Sequence, residues 1–227
     1  MQYRVTSLQD LTNIIIPHFD KYPLLTQTRA DFELFKKFID IMSREGHKTI
    51  EGLQQIVNIK ATINKGLSDN LKINFPNTIP VLRPLVEEIQ IFEPNWVAGF
   101  ASGEGCFLIT IFKSKTKLGQ AVKLEFQLTQ HFRDEQLMKS LISYFGCGKV
   151  YAKSKSNTAF DFRVTKFSDL IEKVIPFFDK YSIVGVKYHD YKDFKRVAEL
   201  MNNGAHLTSE GLEEIRLIKA GMNSGRN

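Results

Sequence analysis

Strict alternation of apolar and polar side chains predicts two β-strands in the middle of the chain. In the stretch 106–114, CFLITIFKS, alternate residues from Phe107 to Ile111 are large and apolar. In the stretch 122–130, VKLEFQLTQ, even positions are apolar and odd positions are polar. A period of two is typical of a sheet with one buried face and one hydrated face. Gly119 lies between the two stretches, which predicts a turn there.

The remaining elements follow from helical and strand spacing. Apolar residues at three- and four-residue intervals predict a helix over 134–145, and alternation predicts a second strand pair at 148–153 and 160–165. Thr49 and Thr208 are predicted to be N-caps. Four further helices are expected at 94–103, 167–179, 188–202 and 208–221. The chain is therefore predicted to be α+β, in the order αββαββα with an extra C-terminal helix.

The helix predicted at 94–103 is unusually poor in large side chains. Pro94 suits its first turn, since proline has no N–H to leave unpaired. Gly99 and Gly103 lie four residues apart, so they share one face of the helix. A face of small residues lets another backbone approach closely, which indicates either tight packing on the protein's own sheet or a seam between two helices. Glu104 follows, where the chain turns apolar again.

The chain contains an internal repeat with a constant offset. The stretch 4–22, RVTSLQDLTNIIIPHFDKY, aligns with 163–181, RVTKFSDLIEKVIPFFDKY, 159 positions later. Over 4–66 the ungapped alignment holds 26 identities in 63 positions, far more than chance gives. The stretch 94–158 has no upstream counterpart, so the chain is expected to begin inside the last strand of a first copy. Two repeat units and a linker are predicted: residues 1–66 as the C-terminal part of a first repeat, 67–93 as the linker and 94–227 as a complete second repeat.

Charge and composition narrow the functional classes. The net charge is +6, with 31 basic and 25 acidic residues. Residues 93–227 hold most of that excess, which is compatible with binding phosphate. No apolar run is long enough to span a membrane, and the N-terminus has no secretory pattern. The two cysteines form neither a disulfide framework nor a zinc motif.

The stretch 96–107, WVAGFASGEGCF, resembles the signature helix of the LAGLIDADG homing endonucleases, with VAGFASGEG (97–105) in the nine motif positions. FQLTQ (126–130) resembles the second strand of that family. The element order is similar to the family's domain, and the duplication is similar to its single-chain, two-repeat members. The resemblance covers essentially the whole chain, and it implies the LAGLIDADG fold with a complete second repeat and a partial first repeat.

The resemblance assigns roles to individual residues. It implies that two signature helices pack through small residues, here Ala98, Gly99, Ser102 and Gly103. It implies that Glu104 binds Mg²⁺, which activates water and stabilises the departing oxygen. Gln130 would order water around the cleaved phosphate, and Lys187 would lie near that phosphate. Polar side chains, mostly on the hydrated sheet face, are expected to bind double-stranded DNA: Arg4, Thr110, Ser114, Lys123, Glu125, Gln127, Thr129, Lys149, Tyr151, Lys153, Asp161, Arg163 and Thr165.

Two departures from the family pattern bear on activity. Ser102 occupies the first acidic position of the signature, which is mainly structural in the family. The repeat partner of Glu104 would fall 159 positions earlier, before residue 1. We therefore expect the signature helix to associate with a second copy of the chain or with a missing N-terminal half.

Three functions remain open on these grounds. The leading hypothesis is an intron-encoded homing endonuclease, possibly truncated, that makes metal-dependent double-strand cuts in a long DNA site. The alternatives are an RNA-splicing maturase that binds intron RNA, and a non-catalytic remnant that binds nucleic acid. The resemblance implies a mitochondrial protein, with a chloroplast origin also open.

Overall fold

The computed structural model describes residues 3–86, 91, 93–153 and 158–226. The chain divides into two compact units, Met1–Ile89 and Gln90–Asn227. The dividing point lies inside the stretch 67–93 that the sequence predicts as a linker. Within the described part of the chain, no helix is both long and apolar enough to cross a membrane.

The second unit is built on a four-stranded antiparallel sheet in the order β1-β2-β4-β3. The predicted strand pairs are confirmed to within two residues. β1 and β2 are consecutive and pair antiparallel, so they form a hairpin. Gly119 lies in the turn between them and has a φ of +66°. The strands are β1 (Gly105–Lys113), β2 (Gln120–His131), β3 (Lys149–Ala152) and β4 (Ala159–Val164).

Helices cover the apolar face of this sheet. The core is dominated by aromatic side chains that are almost fully buried: Phe107, Phe126, Phe162, Phe178 and Phe194. Burial of each such side chain contributes about 1.5–3 kcal/mol, so they account for much of the unit's stability. The helices are α6 (Pro94–Glu104), α7 (Glu135–Phe145), α8 (Phe167–Asp169), α9 (Ile175–Lys180), α10 (Lys187–Asn202) and α11 (Ser209–Ala220).

The first unit repeats the helical half of the second. Its first helices each begin 159 residues before their counterparts, and a π-helical turn recurs at Leu11–Ile15 and Leu170–Val174. The same backbone irregularity thus accompanies the same sequence twice. The helices are α1 (Leu8–Asp10), α2 (Ile16–Lys21), α3 (Thr28–Ser43), α4 (Ile50–Thr62) and α5 (Asp69–Asn74).

A repeated cap explains the glycine of the EGL triplet that occurs at 51–53 and again at 210–212. The Thr49 hydroxyl accepts a hydrogen bond from the Gly52 amide at 3.0 Å, and Thr208 does the same for Gly211 at 3.1 Å. Both predicted N-caps are therefore confirmed. A Cβ atom on either glycine would lie 2.1 Å from the carbonyl oxygen of a residue in the preceding turn. Only glycine fits this close approach, so the glycine of the triplet recurs in both copies.

The prediction that the chain begins inside a strand is wrong for the described residues. Residues 3–7 have no regular secondary structure, and the described part of the first unit contains no strand. A strand needs a neighbouring strand to share its hydrogen bonds, and the described residues of the first unit provide none. Positions that are buried beneath the sheet in the second unit are only half-buried here: Leu11, Ile15, Phe19, Phe35 and Phe38.

The stretch predicted as a linker is partly ordered onto the first unit. It contains α5, and the Arg83 Nη1 atom donates to the Asp31 carboxylate at 2.5 Å. The Arg83 Nη2 atom also donates to the Gln27 carbonyl at 2.9 Å. Residues 87–90 and 92 of the predicted linker lie outside the described residues.

Candidate nucleic-acid interface and catalytic residues

Helix α6 ends at Glu104, and strand β1 begins at the next residue. Its start is fixed by the Glu93 side chain, which accepts a hydrogen bond from the Asn95 amide at 3.2 Å. Its end requires Gly105, because a Cβ there would lie 2.4 Å from the Ala101 carbonyl oxygen. Glu104 is exposed, and its carboxylate has no hydrogen bond or ion pair within the described residues. The fold thus presents one free carboxylate at the junction of helix and sheet.

Lys187 lies at the same junction of helix and sheet. It is the first residue of α10, and its Nζ atom donates a short hydrogen bond to the carbonyl oxygen of Gly105, the residue after Glu104. Burial raises the pKa of the nearby Cys106 thiol, and the positive charge of Lys187 opposes that rise. The structure therefore places the Lys187 ammonium at the backbone of the residue that follows Glu104. The repeat counterpart of Lys187 is Thr28, the first residue of α3.

Gln130 lies near the same junction, at the end of β2. Since Gly105 pairs with Leu128, Gln130 extends two residues past the start of β1. Its Oε1 atom accepts a hydrogen bond from the His131 amide at 2.8 Å. By strand alternation its side chain leaves the sheet on the side of Leu128, opposite to Thr129. Its proposed contact with water at a phosphate stays a prediction.

The four small residues of α6 do not share one environment. Ala98 is buried in the unit's own core. The Ser102 hydroxyl donates to the Ala98 carbonyl at 2.7 Å and accepts from the Val184 amide at 3.0 Å. Gly99 and Gly103 are exposed, and a Cβ on either would meet no atom within 4 Å. Only Gly99 and Gly103 therefore offer an open surface for a partner helix.

The strand register places most of the predicted DNA-binding residues on one sheet face. Lys149 pairs with Arg163, which pairs with Gln127. Tyr151, Asp161 and Thr129 form the next row, and Thr110 pairs with Lys123 on the other side. We call this surface the polar face. Its exposed members are Thr110, Lys123, Lys149 and Tyr151.

The centre of the polar face is an ion-pair network that contains two buried carboxylates. Asp161 is 1% exposed and Glu125 is 9% exposed, so neither carboxylate is free. Asp161 accepts hydrogen bonds from Thr129 at 2.7 Å and from Arg163 at 2.6 Å. Glu125 accepts one from Lys123 at 2.8 Å. Periodicity placed these residues on one face correctly, but it did not reveal that two carboxylates are buried there.

The other predicted DNA-binding residues lie around the polar face or elsewhere. Ser114 follows β1 and is half-buried, while Lys153 and Thr165 follow β3 and β4 and are exposed. Arg4 is exposed in the first unit, before α1, at the repeat position of Arg163. Part of the loop between β3 and β4, residues 154–157, lies outside the described residues.

The sequence analysis did not identify Asn223, a residue that connects the elements around the site by hydrogen bonds. Asn223 has a left-handed φ of +52°, and its side-chain amide donates to the Phe107 carbonyl at 3.1 Å. Its backbone amide donates to Asp190 at 3.0 Å. The tail after α11 is thereby tied to both β1 and α10, next to Cys106 and Lys187. The identity of Asn64 and Asn223 across the repeat was the available signal.

The family model described as "LAGLIDADG endonuclease" matches residues 1–39 and 97–198 of this chain. The two matched ranges end 159 residues apart, at the repeat offset. Together they cover more than half of the chain.

The relatives and solved structures agree with this match. Two proteins of Neurospora crassa, "Probable intron-encoded endonuclease 3" and "Probable intron-encoded endonuclease 2", are each 42% identical over 96% of this chain. The match covers 41% and 49% of those proteins, so this chain spans somewhat less than half their length. The I-SmaMI LAGLIDADG homing endonuclease bound to cleaved DNA is similar with a TM-score of 0.95 and 48% identity. That match covers 99% of this chain and 75% of the I-SmaMI chain.

The structure has the features that this family resemblance implied: a helix with exposed glycines that ends in a free carboxylate, and a four-stranded sheet with a polar face. The family model matches the chain in both units. This chain belongs to the LAGLIDADG endonuclease family.

Proposed function

We propose that this chain is the DNA-recognising and DNA-cleaving part of an intron-encoded homing endonuclease. The observation that carries the proposal is the free Glu104 carboxylate at the end of the signature helix, one residue before the Gly105 carbonyl that Lys187 contacts. The comparisons support it, since I-SmaMI was solved with cleaved DNA and relatives are called intron-encoded endonucleases. The names of other relatives include cox1 and ND4 introns, which supports a mitochondrial origin.

We further propose that Glu104 holds a divalent cation, Mg²⁺. The described residues contain no cluster of three His, Cys, Asp or Glu side chains that could bind a metal alone. Mg²⁺ commonly uses one or two carboxylates and completes its shell with phosphate oxygens and water, so a single exposed carboxylate fits. I-SmaMI was also solved with uncleaved DNA in the presence of calcium ions, which supports a divalent cation. When bound, the cation would lower the pKa of water and neutralise charge at the phosphate.

The protein's own residues would position the substrate. The ammonium of Lys187 has three donors and uses one on the Gly105 carbonyl, so the others are available to a phosphate oxygen. Gln130, at the end of β2, would order water at the same junction. Basic side chains at the edge of the polar face would contact DNA phosphates and set the register of the duplex.

The test replaces Glu104 with glutamine, which keeps the shape of the side chain and removes its charge. We expect Glu104→Gln to abolish metal-dependent cleavage and to leave DNA affinity within about threefold, because the carboxylate binds the cation and not the bases. Cleavage is measured in a plasmid nicking assay, and affinity by fluorescence anisotropy on the same preparation.

The matched control is Glu210→Gln, an exposed glutamate in the first turn of α11. It should cleave like the wild type. A Glu104→Gln variant that cleaves at the wild-type rate would remove Glu104 from the site. If the chain binds intron RNA but no DNA duplex, it is an RNA-splicing protein on the same scaffold. Duplex binding without cleavage by the full protein would identify a non-catalytic remnant.

A further inference from the structure

The buried carboxylates of the polar face are unusual for a surface that contacts nucleic acid. An ionised group is seldom removed from water unless its partners are fixed around it. Both oxygens of Asp161 are used, Oδ1 by the Thr129 hydroxyl and Oδ2 by the Arg163 Nη2 atom. Asp161 is therefore paired and almost fully buried, so it is not presented to a base as a hydrogen-bond acceptor.

Glu125 is committed in the same way. Its Oε2 atom accepts from Lys123 at 2.8 Å, and its Oε1 atom lies 3.6 Å from the Nε atom of Arg163. Its side chain is only 12% exposed, so it too faces its neighbours and not the solvent. The two carboxylates thus act as fixed negative charges beneath the basic side chains.

Arg163 is the residue that these contacts immobilise. It is anchored by Asp161, flanked by Glu125, and its guanidinium lies 5.7 Å from the centre of the Tyr151 ring. Its Nε atom is buried, yet 37% of the side chain is exposed. Nη2 is bonded to Asp161 and Nε is buried without a hydrogen-bond partner, so the donors that no described residue uses include those of Nη1. A guanidinium anchored through Nη2 and packed near an aromatic ring, with donors left over on Nη1, is organised before any ligand arrives.

We infer that Arg163 determines specificity by reading a guanine in the major groove, and that Asp161 is the positioning residue that aims it. This inference rests on the proposed DNA-binding function of the polar face. Guanine presents two acceptors, N7 and O6, that match two guanidinium donors, and this is the commonest specific contact of arginine with DNA. Because Arg163 is ordered in advance, little conformational entropy is lost when the contact forms.

The test selects binding sites from a randomised DNA duplex library with the full chain. The wild type should require guanine at one position of the site, and Arg163→Gln should relax that position by roughly 5- to 150-fold. Asp161→Asn, which removes the anchoring charge but keeps the side-chain shape, should weaken the same preference by a smaller factor and affect no other position. A loss of structure alone would weaken all positions together.

The matched control is Lys149→Gln, the cross-strand neighbour of Arg163 on β3. Lys149 is exposed, so we expect it to contact phosphate. Its replacement should weaken binding to all sequences about equally and reduce the slope of log affinity against log salt by about one. A changed base preference in Lys149→Gln, with none in Arg163→Gln, would overturn the assignment.

A second measurement needs no variant protein. Replacing the selected guanine with 7-deazaguanine removes the N7 acceptor and should weaken wild-type binding about tenfold or more. Equal affinity for both duplexes would refute the inference while leaving DNA binding intact. If the chain binds no DNA duplex at low salt, the proposed function itself fails together with this inference. Equal binding to an RNA duplex of the same sequence would also contradict it, because side chains cannot read the deep major groove of RNA.

Discussion

At the scale of single residues, the position of the candidate catalytic carboxylate depends on one glycine. Gly105 ends α6 and begins β1 without an intervening loop, and any side chain there would collide with the Ala101 carbonyl oxygen. The position of Glu104 therefore depends on Gly105 having no Cβ atom. The signature stretch contains several glycines, so the sequence alone does not indicate which of them is required by close packing.

We expect Gly105→Ala to lower the free energy of unfolding by about 1–3 kcal/mol, because the new methyl group forces the helix and strand apart. Thermal denaturation measures the loss. The control is Gly103→Ala on the same helix, where the added methyl meets no atom. That variant should be as stable as the wild type or slightly more so, since alanine favours a helix over glycine. Equal decreases in the free energy of unfolding in both variants would show that the collision at Gly105 does not cause the destabilisation.

At the scale of elements, the two repeats share a backbone conformation after their last equivalent helix, but only one repeat makes a side-chain hydrogen bond there. Asn64 and Asn223 both have a left-handed φ, +53° and +52°. The Asn223 side chain donates to β1, whereas the Asn64 side chain makes no hydrogen bond within the described residues. The left-handed backbone is equally unfavourable in both units, but only in the second unit does the asparagine side chain also form a hydrogen bond to a strand.

Replacing each asparagine with alanine should therefore have unequal effects. Both variants keep the strained φ, but only Asn223→Ala also leaves the Phe107 carbonyl without its donor. We expect Asn223→Ala to cost about 1–3 kcal/mol more than Asn64→Ala in chemical denaturation. Equal costs would mean that the hydrogen bond from Asn223 to β1 contributes nothing net.

At the scale of the whole molecule, the question is whether the signature helix has a partner. Gly99 and Gly103 leave an open strip along α6, and such a strip permits another backbone to approach closely. The sheet-side positions of the first unit are also only half-buried. Both features indicate surfaces that another chain segment could cover.

We expect the chain to self-associate through residues 95–103, and Gly99→Leu to weaken that association by separating the two backbones. Sedimentation velocity of both proteins over a concentration series measures the effect. The control is Ser143→Leu, which adds an exposed leucine on α7. A wild-type monomer at every concentration, unchanged by Gly99→Leu, would show that no open helix seam exists in this chain.

The sequence by itself determined the elements, their order and the repeat. Alternation along 122–130 identified β2, because strand side chains leave opposite faces with a period of two. Thr49 and Thr208 fixed helix starts, because caps act within one turn. The signature stretch also led to the family, since its small residues and Glu104 are contiguous in the chain.

Only the tertiary structure decided what depends on residues distant in sequence. Lys187 meets the Gly105 carbonyl across 82 positions, and Asn223 meets Phe107 across 116. The polar face appeared in the sequence as an evenly hydrated surface. Folding showed that Asp161 and Glu125 are buried next to Arg163, because the strand register places them in the rows on either side of the Gln127–Arg163 row. The physical reason is that periodicity specifies which face a side chain occupies, whereas its neighbours on that face are set by how the strands pair.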